Sequence, residues 1–110
     1  MDMYTADSRT PEQFAEMVGQ AADALDVDAV ACATEEAGLA RPLQQELGGD
    51  RLVVATPSGD THKALSDEDH DVLRLSARVP NKYRQARYTI ATILNAGMIS
   101  VGDLVLCAVS

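Results

Sequence analysis

The chain has no tryptophan, and one phenylalanine and three tyrosines are its whole aromatic complement. An interior cannot then be built on large rings, so Ala, Val, Leu and Ile must fill it. Lysine is scarce too: only Lys63 and Lys82 among nine basic residues, against 17 Asp and Glu, for a formal net charge of −8. That charge argues against non-specific binding to nucleic acid or to an acidic membrane surface. An acidic, lysine-poor and aromatic-poor composition predicts a protein of a salt-rich cytosol, its surface kept hydrated by carboxylates; an ordinary acidic mesophilic protein is the alternative. No window approaches the 18 or so apolar residues that read as a membrane-spanning helix. The start MDMYTADSRT is too polar and acidic for a signal peptide, so a cytoplasmic location and no membrane partner are expected. Cysteine is confined to Cys32 and Cys107, each inside an expected buried strand, with no CxxC spacing and no neighbouring His. Buried free thiols in a reducing compartment follow, and no metal site.

A length of 110 residues allows one α/β domain over 1–110, with 1–9 as a loose lead-in. A chain of this size buries roughly two-thirds of its unfolded surface and needs no staples. Thr10-Pro11-Glu12-Gln13 combines a hydroxyl N-cap, a proline at the first helical position and a Gln to complete a capping box. Phe14, Met17, Val18, Ala21, Ala22 and Leu25 then mark one face of a helix. Ala29 to Ala33 is a short apolar strand. The next helix, opened by Thr34-Glu35-Glu36, carries Gly38 and Pro42, which predict a kink or a late start near Arg41. Gly48-Gly49-Asp50 ends it. Arg51 to Thr56 is the second strand, Thr61 to Ser66 a short helix, and Val72 to Ala77 the third strand. The spacing of Tyr83, Ala86, Ile90, Ile93, Leu94 and Gly97 predicts a long helix with these residues on its apolar face and a stop at Gly97. Leu104 to Val109, almost unbroken in apolarity, predicts a strand covered on both faces. Strands and helices alternating in this way form right-handed crossovers. The expected fold is a three-layer α/β/α sandwich on a mostly parallel sheet of about four strands. Because the last strand runs to the final residue, the chain reads as the N-terminal part of a longer protein.

Ligands of open parallel sheets bind beyond the carboxyl ends of the strands. The turn after the second strand offers Thr56, Ser58, Gly59 and Thr61 as candidates: hydroxyls and a glycine at a helix N-terminus, suited to a small phosphorylated ligand. The competing reading is an ordinary strand-to-helix turn. A second candidate is a basic patch. No acidic residue falls between Val72 and Gly102, yet Arg74, Arg78, Lys82, Arg84 and Arg87 do. Arg78, Lys82, Arg84 and Arg87 are docking candidates for an acidic partner or a phosphate; the alternative is that they pair with the Asp67 to Asp71 run and the other acids in a surface network. His62 and His70 have no partner at metal or nucleophile spacing and read as surface histidines. No catalytic constellation is visible.

Ile93 to Val105 (ILNAGMISVGDLV), with Gly97, Gly102, Asp103 and Val105 at their spacing, resembles the last helix-to-strand passage of the pyruvate kinase C-terminal domain. The order of elements over most of the chain is similar as well. A divergent version of that domain precedes the catalytic domain of archaeal diadenylate cyclases, which join two ATP into cyclic di-AMP. The resemblance implies an accessory or regulatory domain, haloarchaeal given the composition, whose partner is its own catalytic domain or another copy. ATP and a divalent metal would belong to that catalytic domain, and this domain would hold no cofactor. Two departures stand out. Glu35 and Glu36 occupy the loop where many pyruvate kinases bind an effector phosphate, and they repel an anion. The aspartate-glycine-alanine and arginine-histidine-arginine motifs of the cyclases do not occur in these 110 residues. The alternative is a free-standing pyruvate kinase C-terminal-like domain that binds a small phosphorylated ligand.

Overall fold

The computed structural model describes residues 10–47 and 51–109. The lead-in at 1–9, the Gly48-Gly49-Asp50 stop and Ser110 lie outside the described residues. Helix α1 (Pro11–Leu25) begins as its sequence predicts. The Thr10 hydroxyl accepts from the Gln13 amide at 3.1 Å, and Gln13 Oε1 accepts from the Thr10 amide at 3.0 Å. Two amides that the helix itself cannot satisfy are thus paired reciprocally. At the other end Asp26 turns left-handed, with φ of 51°, and the Val27 amide reaches back to the Ala22 carbonyl.

Strand β1 (Ala29–Ala33) is buried along its whole length. Helix α2 (Ala37–Leu47) follows, then β2 (Leu52–Thr56), α3 (Gly59–Asp67), β3 (Val72–Arg74), α4 (Lys82–Asn95) and β4 (Val105–Val109). The strand order is β3-β2-β1-β4, and every neighbouring pair is parallel. On one face α1, α2 and α3 enclose Phe14, Val18, Leu43, Val30, Val54 and Leu65. On the other, α4 closes over Ala31, Val53, Ile93 and Ile99. This is the three-layer α/β architecture expected, with a sheet that is wholly parallel.

Four local expectations change. Helix α2 is helical from Ala37, with Pro42 inside it rather than a start near Arg41. The carbonyl that Pro42 leaves without its amide belongs to exposed Gly38, while Leu39, Ala40, Leu43 and Leu47 stay buried. Helix α3 is longer than Thr61–Ser66, because Ser58 caps it and brings Gly59 and Asp60 into the first turn. Strand β3 stops at Arg74 instead of Ala77. After the Leu75 amide bonds the Thr56 carbonyl at 2.8 Å, β2 has ended, and the Ser76 amide turns to the Tyr88 hydroxyl instead. Strand β4 has helices over both faces, yet it is the edge of the sheet and only half-buried.

Candidate functional site

The chain steps outward from β1 to β2 to β3, then returns to place β4 on the opposite side of β1. The strand order therefore reverses between β1 and β4, the place where open parallel sheets form a crevice at their carboxyl ends. A cleft of about 140 Å³ opens there, bounded by Ala33 and Val109, the last residues of those two strands. Thr34, Glu35, Arg78 and Lys82 supply its polar walls.

Its outer wall is the segment from Ser76 to Asn81, and α4 holds that segment in place. The Tyr88 hydroxyl accepts from the Ser76 amide at 3.2 Å, and Gln85 Oε1 accepts from the Val79 amide at 3.0 Å. Asn81 caps α4 by accepting from the Arg84 amide. These bonds bring Gln85 and Thr89 inward beside Ile93, while Ile90 and Leu94 of the expected face still pack against the core. Gln85, Thr89 and Ile93, one helical turn apart, point inward, while Tyr83 is 71 % exposed. Arg78 bridges from the segment to the end of β1, with Nε 2.8 Å and Nη2 2.6 Å from Glu35 Oε1. That guanidinium holds the Glu35 carboxyl below its usual range. Hydrogen bonds with Ser76 lower the Tyr88 hydroxyl in the same way.

The hydroxyls of the β2–α3 turn bond backbone, two within the turn and one in the loop after β1. Buried Thr56 accepts from the Ser58 amide at 3.1 Å, Ser58 accepts from the Thr61 amide at 3.2 Å, and Thr61 donates to the Glu35 carbonyl at 2.7 Å. Arg74 lies across Gly59, so close that a Cβ there would come within 2.8 Å of its guanidinium, and its Nε donates to the Pro57 carbonyl. Thr56, Ser58, Gly59 and Thr61 are thus brought together as one turn, and of that turn only Pro57 borders the cleft. The basic patch divides. Arg78 and Lys82 face the cleft, Arg84 is exposed, and Arg87 lies on the outer face of α4 with its guanidinium 5.9 Å from the Tyr83 ring centre. The surface-network alternative holds for Arg78, which pairs with Glu35, while Glu68 of the acidic run pairs with Arg41.

Ala86, Ile90, Ala91 and Leu94 form an apolar stripe along the side of α4, in which Ile90 and Leu94 also pack against the core. It runs into a hollow of about 460 Å³ beside the start of β4, where Val101 is 89 % and Leu104 53 % exposed.

His70 is not the surface residue its acidic neighbours suggest. Its side chain is 8 % exposed, Nε2 lies 3.8 Å from Glu68, and buried Nδ1 has no partner among the described residues. Positive φ at Asp69 folds the chain back so that the His70 amide meets the Leu65 carbonyl. Both cysteines are free thiols, Cys32 fully buried and Cys107 half-buried. Among the described residues no group of three or more His, Cys, Asp or Glu is placed to hold a metal ion, and no helix is long and apolar enough to cross a membrane.

Burial pushes the Cys32 thiol up to about 12 and the Cys107 thiol to about 11. Unfolded thiols ionise near pH 8.5, roughly, so above that pH the unfolded chain releases protons that the folded one retains. Stability from Cys32 is therefore whole below about pH 8.5 and is lost as pH rises toward 12. Urea unfolding is expected to show a lower midpoint at high pH than at neutral pH. Cys32→Ala should flatten that slope.

The sequence matches no family model and no curated protein. Solved structures do match. One is a Cryptosporidium parvum pyruvate kinase, with TM-score 0.74 and 14 % identity, covering 98 % of this chain and 21 % of the kinase. The fold is pyruvate kinase C-terminal-like. A second structure of a pyruvate kinase from the same organism agrees, with TM-score 0.71, 15 % identity, and 90 % and 20 % of the two chains covered. The chain thus spans about one-fifth of the kinases it matches, and at this identity the likeness is one of fold.

Proposed function

We propose that this chain is a non-catalytic accessory domain serving the assembly or regulation of a catalytic domain in the cytoplasm. The observation that supports it is the partly exposed apolar stripe of α4, which continues to the half-buried β4 and to exposed Val101 and Leu104. Exposed apolar residues grouped in this way, on a chain of net charge −8, suit a docking face. We assign the partner enzyme as a diadenylate cyclase on the resemblance of Ile93 to Val105 and of the element order. ATP and a divalent metal then belong to the catalytic domain. Sequencing the reading frame beyond the Ser110 codon tests the assignment. The frame is expected to continue into a domain with aspartate-glycine-alanine and arginine-histidine-arginine motifs, and the full-length protein to make cyclic di-AMP from ATP. A stop codon, or a frame without those motifs, overturns the cyclase. The paired substitution Ile90→Asp with Arg87→Glu should lower full-length assembly or activity at least tenfold. Unchanged behaviour removes the docking role.

The cleft favours a second reading, capture of a small phosphorylated ligand. Arg78 would exchange Glu35 for a phosphate through its planar fork, with Lys82 as a neighbouring point charge. Melting the chain in molar KCl with sugar phosphates, ATP and cyclic di-AMP tests it. A rise with one of these supports ligand capture, and no shift with any of them overturns it.

A further inference from the structure

Glu35 and Arg78 meet in the cleft, and each is carried by backbone that other elements fix. On the side of β1, the Thr34 hydroxyl accepts from the Glu36 amide at 3.1 Å, and the Thr61 hydroxyl of α3 donates to the Glu35 carbonyl at 2.7 Å. On the opposite side, Tyr88 and Gln85 of α4 accept from the Ser76 and Val79 amides, before and after Arg78. The two side chains are thus aimed at one another by separate parts of the fold. Nε and Nη2 of Arg78 both reach the same oxygen, Glu35 Oε1, at 2.8 and 2.6 Å. Two donors of one guanidinium converging on an anionic oxygen is what arginine offers a phosphoryl group. A carboxylate of the chain itself already stands there.

We propose that Glu35 is an internal competitor for the cleft, a carboxylate that occupies the Arg78 fork and yields it only to a phosphoryl group. The inference rests on the ligand-capture reading and names what regulates that capture. Arg78 and Lys82 are the cations of the cleft, and Glu35 both engages the first and repels an incoming anion. A group held in place by its own chain acts at an effective concentration on the order of millimolar, which a free anion must exceed. The contact is nevertheless reversible. The Arg78 and Glu35 side chains are 67 % and 51 % exposed, and a solvated pair of this kind is weak enough to be displaced. A ligand that takes the fork with one phosphoryl group and adds a contact to Lys82 has the advantage over the carboxylate.

Glu36 separates this contact from charge alone. It carries the same charge one residue on and is exposed, but it is not among the described residues that line the cleft.

Inorganic phosphate is the probe, titrated into the 110-residue chain in about 0.1 M KCl, where exposed charges still act over about 10 Å. The NMR shift of the Arg78 Nε–H follows binding. Glu35→Gln, a neutral change on an exposed side chain, should bind phosphate tenfold or more tighter than the unchanged chain. Glu36→Gln should stay within about threefold of the unchanged chain. In the unchanged chain, saturating phosphate should release Glu35, whose carboxyl then titrates closer to an ordinary carboxylate. Adding Arg78→Gln to Glu35→Gln should remove the gain. Equal affinity of the unchanged chain and Glu35→Gln overturns the competitor and leaves the cleft as an anion site. A gain that survives Arg78→Gln, or one that Glu36→Gln reproduces, overturns it as well. No binding by either the unchanged chain or Glu35→Gln up to about 50 mM phosphate overturns ligand capture and the competitor together.

Discussion

Leu43→Ala is expected to cost about 2–5 kcal/mol of unfolding free energy. Leu43 is fully buried on the inner face of α2, with Leu39, Ala40 and Leu47, among α1, α2 and the sheet. Its neighbours in the cluster include Phe14, Leu39, Leu47 and Leu65, whose own packing limits how far they can relax into the space. The lost contacts and the remaining cavity therefore add. For a chain of this length the melting temperature should fall by on the order of 10–20 °C. Thermal unfolding followed by circular dichroism measures it. Leu25→Ala is the control, since Leu25 belongs to the apolar stripe of α1 by sequence but is 56 % exposed. That change should stay within about 0.5 kcal/mol. Equal losses at the two positions would contradict the packing described.

Gln85→Leu should cost about 1–3 kcal/mol, by a different route. The change is close in volume, so no large cavity forms. What is lost is the acceptor for the Val79 amide at 3.0 Å and the longer contact from Nε2 to the Thr89 hydroxyl at 3.5 Å. A partly buried amide without a partner is costly, and the segment from Ser76 to Asn81 loses one of its ties to α4. Hydrogen exchange at the Val79 amide should quicken tenfold or more, while Ile93 in the same helix stays protected. Because that segment carries Arg78, the Arg78–Glu35 bridge should weaken as well, and the Glu35 carboxyl should titrate closer to an ordinary carboxylate. If exchange at Val79 did not change, the Gln85 side chain would not be what holds the cleft wall.

These two positions also mark what composition and spacing can reveal. Leu43 was legible as core, being apolar in a helix between two strands. Gln85 was not, because Tyr83, Ala86, Ile90, Ile93 and Leu94 make the more hydrophobic stripe; of these Ile93 is buried, Ile90 and Leu94 are partly so, and Tyr83 is exposed. A signal did exist: Gln85, Thr89 and Ile93 stand at four-residue steps and share a face. Polar residues are assigned inward only when their partners are known. Here the partners, Val79 and the rest of the segment before α4, become neighbours only once β3 and α4 have packed. The pairing of Arg78 with Glu35 was equally hidden, since 43 residues separate them in the chain. The turn at Thr56 to Thr61 was foreseen both as a phosphate cradle and as a plain turn. Its hydroxyls are in fact bonded to nearby backbone.

The sequence by itself determined the local elements, because their causes are local. The Thr10–Gln13 capping box, the positive φ of 76° at Gly97 and the apolar strands all depend on residues a few positions apart. Tertiary structure alone decided that Gln85 and Thr89 turn inward beside Ile93, that β4 lies next to β1 among the described strands, and that the cleft forms between β1 and β4. Each of these depends on which strands become neighbours. That choice is made by packing energies summed over the whole chain, and no single window of sequence contains them.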